Sequence, residues 1–341
     1  MNNTFRATPG SRSGGRLLRQ MSCIALILAS SGLLTGGADA AERAQPIKIG
    51  VLTESWGPTP EAVGLRDGLV ELGYRENEQF VLGVRFTQGD LTALPAAAHE
   101  LIQYGVDIIF ACYNAATKAA QGVTTRIPIV FAGVADPVGL GLIQNFARPG
   151  GNITGVADLH FELSPKRLEL FHEIIPGLKR VLYLYDAADA DAVAGAKLYH
   201  DAAHRLDIAL VEQPVRTVEE TQAILARVSK DEVDGILAPR QGSLNIIGFI
   251  MEITSQRAIP TMFDASFMVE QGALASYGPN LHETGRQAAR LIDKILKGAD
   301  PAETPVEANS KVEFVINLKV AKTLGLTIAP EVLYRADRII R

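Results

Sequence analysis

Apolar residues in this chain come in short blocks cut by polar turns, and two spacings alternate along it. Ile47-Lys48-Ile49-Gly50-Val51-Leu52-Thr53 reads as a first, largely buried strand. Leu65, Leu69 and Leu72 then recur at i, i+4 and i+7, which predicts a helix that stops at Gly73. Residues 80–86 alternate as a second strand, 94–103 follow as a helix, 106–111 as a strand, and a further helix opens after Asn114 before the strand at 127–132. No hairpin signal joins these blocks, so the sheet they predict is parallel and doubly wound.

Past the turn at Pro149-Gly150-Gly151-Asn152 and a short strand at 153–157, the alternation begins again. Strands are expected at 181–185, 208–215, 235–238, 260–263 and 273–277, with helices at 168–175, 190–206, 218–228 and 246–255 between them. Val193, Ala196, Tyr199, Ala203 and Leu206 mark one face of the second of these helices. After Tyr277 comes a helix carrying Gly285, Ala288, Ala289, Ile292, Ile295 and Leu296, ended by Gly298, then a loop with Pro301 and Pro305 and a strand at 315–317. Two successive α/β units of similar size predict two lobes with a cleft between them. The expected division is residues 46–157 plus 278–310 for one lobe and 158–277 plus 311–341 for the other, although periodicity alone leaves the last segment open.

The beginning of the chain follows neither spacing. Arg6, Arg12, Arg16 and Arg19 form a basic leader, residues 21–34 are an apolar core too short to span a bilayer, and Ala38-Asp39-Ala40 is a small-x-small cleavage signature. Residues 1–40 therefore read as a signal peptide cleaved near Ala40, and the mature chain is expected to be periplasmic. Cys23 lies at the start of the apolar core, not just after it as a lipoprotein would need. The 341 residues carry 33 basic and 38 acidic side chains, a formal net charge of −5, and the leader removes four arginines against Asp39 alone. An acidic chain of this kind argues against nucleic acid or an anionic membrane as partner. Only Cys112 lies beyond the leader, which excludes an intramolecular disulfide.

Catalytic chemistry is thin. His200 and His204 stand at i, i+4, but no Glu follows the first His, and Asp201 and Arg205 mark a solvated face. Gly139-Leu140-Gly141 lacks the third glycine of a dinucleotide fingerprint, and neither a nucleophile elbow nor a phosphate-binding lysine loop is present. No enzyme, cofactor or metal is expected. What the pattern does bring together is a set of polar residues at the C-terminal ends of expected strands, the edge where open α/β sheets bind ligands. Thr53, Glu54, Ser55 and Trp56 follow the first strand, Tyr113, Asn114 and Thr117 the third, and Asp136 the fourth; Asp186, Arg240, Gln241, Asp264 and Tyr277 come from the second lobe. Each alone is also what an ordinary turn or helix cap uses. At 111–117 a strand hands over to a helix N-terminus, whose unpaired N–H groups and dipole favour a carboxylate, with Asn114 suited to the N-cap.

Several segments also carry a resemblance. Glu71-Leu72-Gly73-Tyr74, Gln88-Gly89-Asp90, Thr124-Thr125-Arg126-Ile127-Pro128-Ile129-Val130-Phe131, Asp136-Pro137-Val138, Arg148-Pro149-Gly150-Gly151-Asn152-Ile153-Thr154-Gly155 and Lys166-Arg167-Leu168-Glu169-Leu170 form an ordered series. It resembles that of the ABC-transporter substrate-binding family that includes tryptophan-binding members, from about Ile47 to Leu333-Tyr334-Arg335-Ala336-Asp337. The resemblance implies a type I periplasmic-binding-protein-like fold with three interlobe crossings, a small-molecule ligand, no enzymatic activity and a partner permease in the inner membrane. Asn114 stands where the family usually has Thr or Ser, Ala115 where Pro is frequent, and Asn77 where a Glu-Gly turn is usual. The expected protein is a monomeric receptor closing on an amino acid or aromatic acid. Amides near Asn114 to Thr117 would take the carboxylate, Asp186 or Asp264 an ammonium, and Trp56 or Tyr277 an apolar side chain. A sensor presenting its solute to a membrane signalling protein would use the same fold, whereas an exported enzyme would need the missing catalytic set.

Overall fold

A computed structural model describes residues 45–158, 161–187, 190–238 and 247–341. The expected leader, residues 1–40, and the positions of Arg240 and Gln241 lie outside the described residues. The first lobe is built from β1 (Ile47–Thr53), α1 (Pro60–Glu71), β2 (Phe80–Phe86), α2 (Leu94–Gln103), β3 (Ile108–Cys112), α3 (Tyr113–Val123), β4 (Ile129–Val134) and β5 (Ile153–Ala157). The second contains α4 (Ser164–Ile174), β6 (Arg180–Asp186), α5 (Ala190–Arg205), β7 (Ala209–Val215), α6 (Val218–Leu225), β8 (Gly235–Ala238), α7 (Ile247–Arg257), β9 (Thr261–Phe263), α8 (Ser266–Glu270) and β10 (Ala275–Pro279). The chain then runs through α9 (Leu281–Leu296), β11 (Glu307–Ala308), β12 (Val312–Asn317), α10 (Leu318–Thr323), α11 (Pro330–Arg335) and β13 (Arg338–Ile340).

Two sheets result, ordered β11-β5-β4-β3-β1-β2 and β13-β12-β10-β9-β8-β6-β7. Strands β3, β4 and β5 are buried along their whole length, as strands covered on both faces must be. Helices α2 and α3 cover one face of the first sheet and α1 and α9 the other. β5, β10 and β11 each leave their sheet by the C-terminal end and continue into the other lobe, so all three connections join the edges where parallel strands finish. One pairing departs from the expected parallel pattern: β12 runs antiparallel to β10. The reason is directional, because β10 leaves the second lobe towards α9 whereas β12 enters it from β11.

Helix α1 opens with Thr59 accepting from the Ala62 N–H at 3.2 Å and Pro60 in its first turn, where a missing N–H costs nothing. Leu65 and Leu69 are fully buried under it, but Leu72 is 42% exposed and belongs to the outer face. The helix instead presents Gly64 and Gly68 to α9. A Cβ on Gly64 would lie 1.9 Å from the His282 carbonyl oxygen, and one on Gly285 would lie 2.0 Å from that of Glu61. The two backbones thus touch, and polar pairs close the rim: His282 Nε2 with Asp67 at 2.8 Å, Tyr74 Oη donating to Asp293 at 2.8 Å, and Arg286 with Glu71. The hydrogen bonds from His282 and then Arg66 hold the Asp67 carboxyl below its ordinary range. Asn77 takes φ +65, the left-handed conformation that suits a glycine. On α5, Ala196, Tyr199 and Ala203 turn inward as expected, whereas Val193 faces outward and Ala192 is buried in its place.

The glycine contact makes a sharp expectation for stability. Gly64→Ala and Gly285→Ala should each lower the unfolding free energy by about 1–3 kcal/mol through forced helix separation. Gly83→Ala, with nothing within 4 Å of the added carbon, should stay within about 0.5 kcal/mol of the parent. Urea denaturation followed by circular dichroism measures all three; coincident midpoints for Gly64→Ala and the parent would refute the contact.

Candidate functional site

At the end of β3 the chain must pass from an extended strand to a helix without a linker, since Cys112 is the N-cap and Tyr113 already begins α3. Tyr113 does so with φ +72, a left-handed conformation that costs a non-glycine residue about 1–2 kcal/mol. Its ring lies over Gly133, where a Cβ would fall 2.8 Å from Tyr113 Cδ1. Gly133 itself has φ +76 and sits where the β4–β5 register shifts between Ala132 and Val134. The same built Cβ would be 3.9 Å from Glu61 Oε1, so an aromatic ring, a bulge glycine and a fully buried carboxylate meet at the head of α3. Strained backbone and bulges of this kind concentrate where a fold presents a binding surface.

This geometry corrects the expected cap. Asn114 is the second residue of α3, not its N-cap, because β3 extends one residue further, to Cys112. Thr117 is fully buried, its hydroxyl donating to the Tyr113 carbonyl at 2.7 Å, so it braces the helix start from within. Beside it, Thr53 is buried at the end of β1 and its hydroxyl accepts from the Ser55 N–H at 3.2 Å, while Ser55 Oγ donates to the Gly57 carbonyl at 2.6 Å. Backbone bonds from Gln88 to Ser55 and from Gly89 to Glu54 tie this loop to the one after β2. Trp56 rides on top of it, 74% exposed. Asp136 stands apart: it is exposed, and its carboxylate accepts from the Gly139 N–H at 2.8 Å to close a turn of its own.

On the second lobe Asp264 and Tyr277 come together. Ser276 pairs with Phe263, so the residues that follow them lie side by side. Asp264 is buried after β9, and the half-buried Tyr277 sets its ring edge-on to Phe314 at 6.3 Å. Behind both sits Arg167 of α4, fully buried, with Nε donating to the Tyr277 carbonyl at 2.7 Å and the guanidinium bonded to Tyr199 Oη. Burial opposes its charge, but Tyr199 and Asp264 outweigh that and raise its pKa above the ordinary arginine value. Asp186 is buried at the end of β6, which the order β10-β9-β8-β6 puts three strands away from Tyr277, about 14 Å at the usual strand spacing.

Several residues here escape a sequence reading. Glu61, Asp158 and Arg167 are charged groups buried at or behind the joined edges. Asn309, in the connection from β11 to β12, has both amide atoms buried without a hydrogen-bond partner among the described residues. Glu61 follows a helix-starting proline and looks like an ordinary first-turn acid; Arg167 sits inside Lys166-Arg167-Leu168-Glu169-Leu170, where the flanking charges suggest a solvated face. His200 and His204 are exposed, and among the described residues no three metal-binding side chains gather. No helix among them is long and apolar enough to cross a membrane.

The chain is similar to known proteins over most of its length. A family model described as ABC transporter substrate binding protein matches residues 47–340. A tyrosine-binding protein of Clostridioides difficile (strain R20291) is 26% identical over 265 residues, 77% of this chain and 76% of the relative. The crystal structure of an ABC domain in complex with L-Trp from Streptococcus pneumonia superposes with a TM-score of 0.78 at 28% identity, over 87% of this chain and all of that one. A conserved domain protein from Vibrio cholerae O1 biovar eltor matches equally well, with a TM-score of 0.78, 29% identity and coverage of 86% of this chain and 100% of that chain. The folds shared are of the type I periplasmic-binding-protein kind.

Gly133 is the testable element of this geometry. Gly133→Ala adds a carbon against the Tyr113 ring on a left-handed backbone and should cost about 2 kcal/mol in urea unfolding. Adding Tyr113→Gly should recover part of that loss, since it removes both the clash and the strain. A double variant no more stable than Gly133→Ala alone would show that the two residues do not meet as described.

Proposed function

The chain belongs to the ABC transporter substrate-binding protein family, and on that premise we propose that it is an exported, monomeric receptor that closes on an aromatic amino acid and passes it to an inner-membrane permease. The observation that carries the ligand assignment is the strained start of α3, with Tyr113 over Gly133 beside the Thr53–Trp56 loop. In this reading the ligand carboxylate lies against the first-turn amides of α3, with the Asn114 side chain beside it. The ammonium faces the acidic edge of the second lobe, Asp264 first, with Asp186 further along that edge. The Tyr277 ring and Trp56 flank the aromatic side chain, and Asp136 shapes the outer rim. The relatives whose names mention tyrosine and L-Trp support an aromatic side chain. Closure follows from linkage: a ligand that contacts both lobes at once favours the form in which they meet.

Titration calorimetry with L-tyrosine, L-tryptophan, tyramine and tryptamine tests the carboxylate contact. The amino acids should bind and the amines, which lack the carboxylate, should bind about 100-fold more weakly, since charge-assisted hydrogen bonds contribute about 1.5–3 kcal/mol each. Asn114→Ala should weaken the amino acids about tenfold without lowering the urea midpoint. Tyramine binding as tightly as tyrosine would rule out α3 as the carboxylate anchor.

A further inference from the structure

Arg167 is a costly residue to bury. Taking a guanidinium out of water carries a penalty that an apolar side chain of similar size avoids, so such a group is weak evidence for stability by itself. Its surroundings are specific. It reaches from α4, the first helix after the β5 connection, to the Tyr277 carbonyl on β10, the strand that leads into the second connection. Tyr199 of α5 accepts from it, and the guanidinium carbon lies 6.0 Å from the centre of the Tyr199 ring. Tyr183 of β6 is fully buried alongside, and burial pushes its hydroxyl pKa up, so it remains a neutral neighbour. The other end of the arrangement is the site edge. The Asp264 carbonyl oxygen is so close to β10 that a Cβ on Gly278 would come within 1.8 Å of it.

We propose that Arg167 is a positioning residue for ligand recognition: through the Tyr277 carbonyl it anchors β10, on whose Gly278 the Asp264 backbone rests, and thereby holds Asp264 at the second-lobe edge and sets the preference for ligands that carry an ammonium. This rests on the amino-acid reading given above. The head of α4 and the end of β10 meet at this one side chain, and the end of β9 rests on β10 through the Asp264 carbonyl and Gly278. Without it β10 loses its anchor at Tyr277, the Asp264 backbone that rests on the neighbouring Gly278 shifts with it, and the second lobe loses its hold on a positive group. The conservative lysine keeps the charge but not the fork that reaches Tyr277 and Tyr199 together, so it should restore the preference in part.

The test compares L-tyrosine with 3-(4-hydroxyphenyl)propionate, the same molecule without its amino group, by calorimetry on the full-length protein after signal removal. The unsubstituted chain should prefer tyrosine at least tenfold. R167M should bring that ratio close to one, R167K should restore a part of it, and the R167M/D264N double variant should match D264N alone, because Arg167 acts through Asp264. A ratio that survives in R167M, or R167M and D264N effects that simply multiply, overturns the assignment. If R167M does not fold, the comparison of R167K with D264N decides in its place: an R167K ratio equal to the parent's counts against the proposal and a reduced one supports it. Equal binding of the two ligands by the unsubstituted chain would overturn the amino-acid reading itself, a result distinct from failure of the Arg167 variants.

Discussion

Two carbonyl oxygens resting on two glycines hold the molecule's geometry: His282 over Gly64 and Glu61 over Gly285. The contact is reciprocal, with each helix supplying one glycine and one carbonyl, so neither backbone can shift without the other. Its position matters more than its strength. Glu61 lies in the first turn of α1, directly after the loop that carries Thr53, Ser55 and Trp56, and Gly285 opens the second turn of α9, soon after the chain returns from the second lobe. One close approach therefore sets both the floor of the candidate site and the root of a connection between lobes. A side chain at either glycine would separate the two helices by more than the site's hydrogen bonds could follow.

The sheets were largely readable in the sequence because buried parallel strands are written in continuous apolar letters. β1, β2, β5 and β8 appear where the pattern puts them, and α2 likewise. What escaped was short or defined by partners far away in the chain. β11 has two residues and exists through its pairing with β5; β13 has three and exists through β12. The antiparallel direction of β12 depends on which lobe the preceding element occupies, which no local spacing records. At the site, strand ends can be read from the apolar blocks, but the left-handed Tyr113 and the depth of Thr117 follow from contacts with Gly133 and the helix interior. A buried arginine flanked by lysine and glutamate is spelled like a surface one.

The polar groups along the joined edges are unequal in kind. On the first lobe the strained helix start and the tied loops make a preformed wall, fixed by backbone hydrogen bonds that need no ligand. On the second, Tyr277 is held from behind by Arg167, so the end of β10 and the Asp264 backbone beside it depend on one long-range side chain. A wall built from backbone tolerates surface substitution well, while one built on a buried ion does not. In the proposed reading, one lobe offers amides to an anion and the other offers charge to a cation.

The place of α9 in the chain has a consequence for how the protein is made. The helix that covers α1, and the strand β11 that completes the sheet beside β5, come from residues after the whole second lobe has been written. A growing chain that ends at Ala157 therefore holds five strands of the first lobe but neither the helix that shields Leu65 and Leu69 nor the final edge partner. The first lobe cannot finish before the second has been synthesised, and contacts this distant in sequence are slow to form. Cutting the gene between the lobes would thus yield one piece that lacks α9 and β11 and a second that carries them without the sheet they cover.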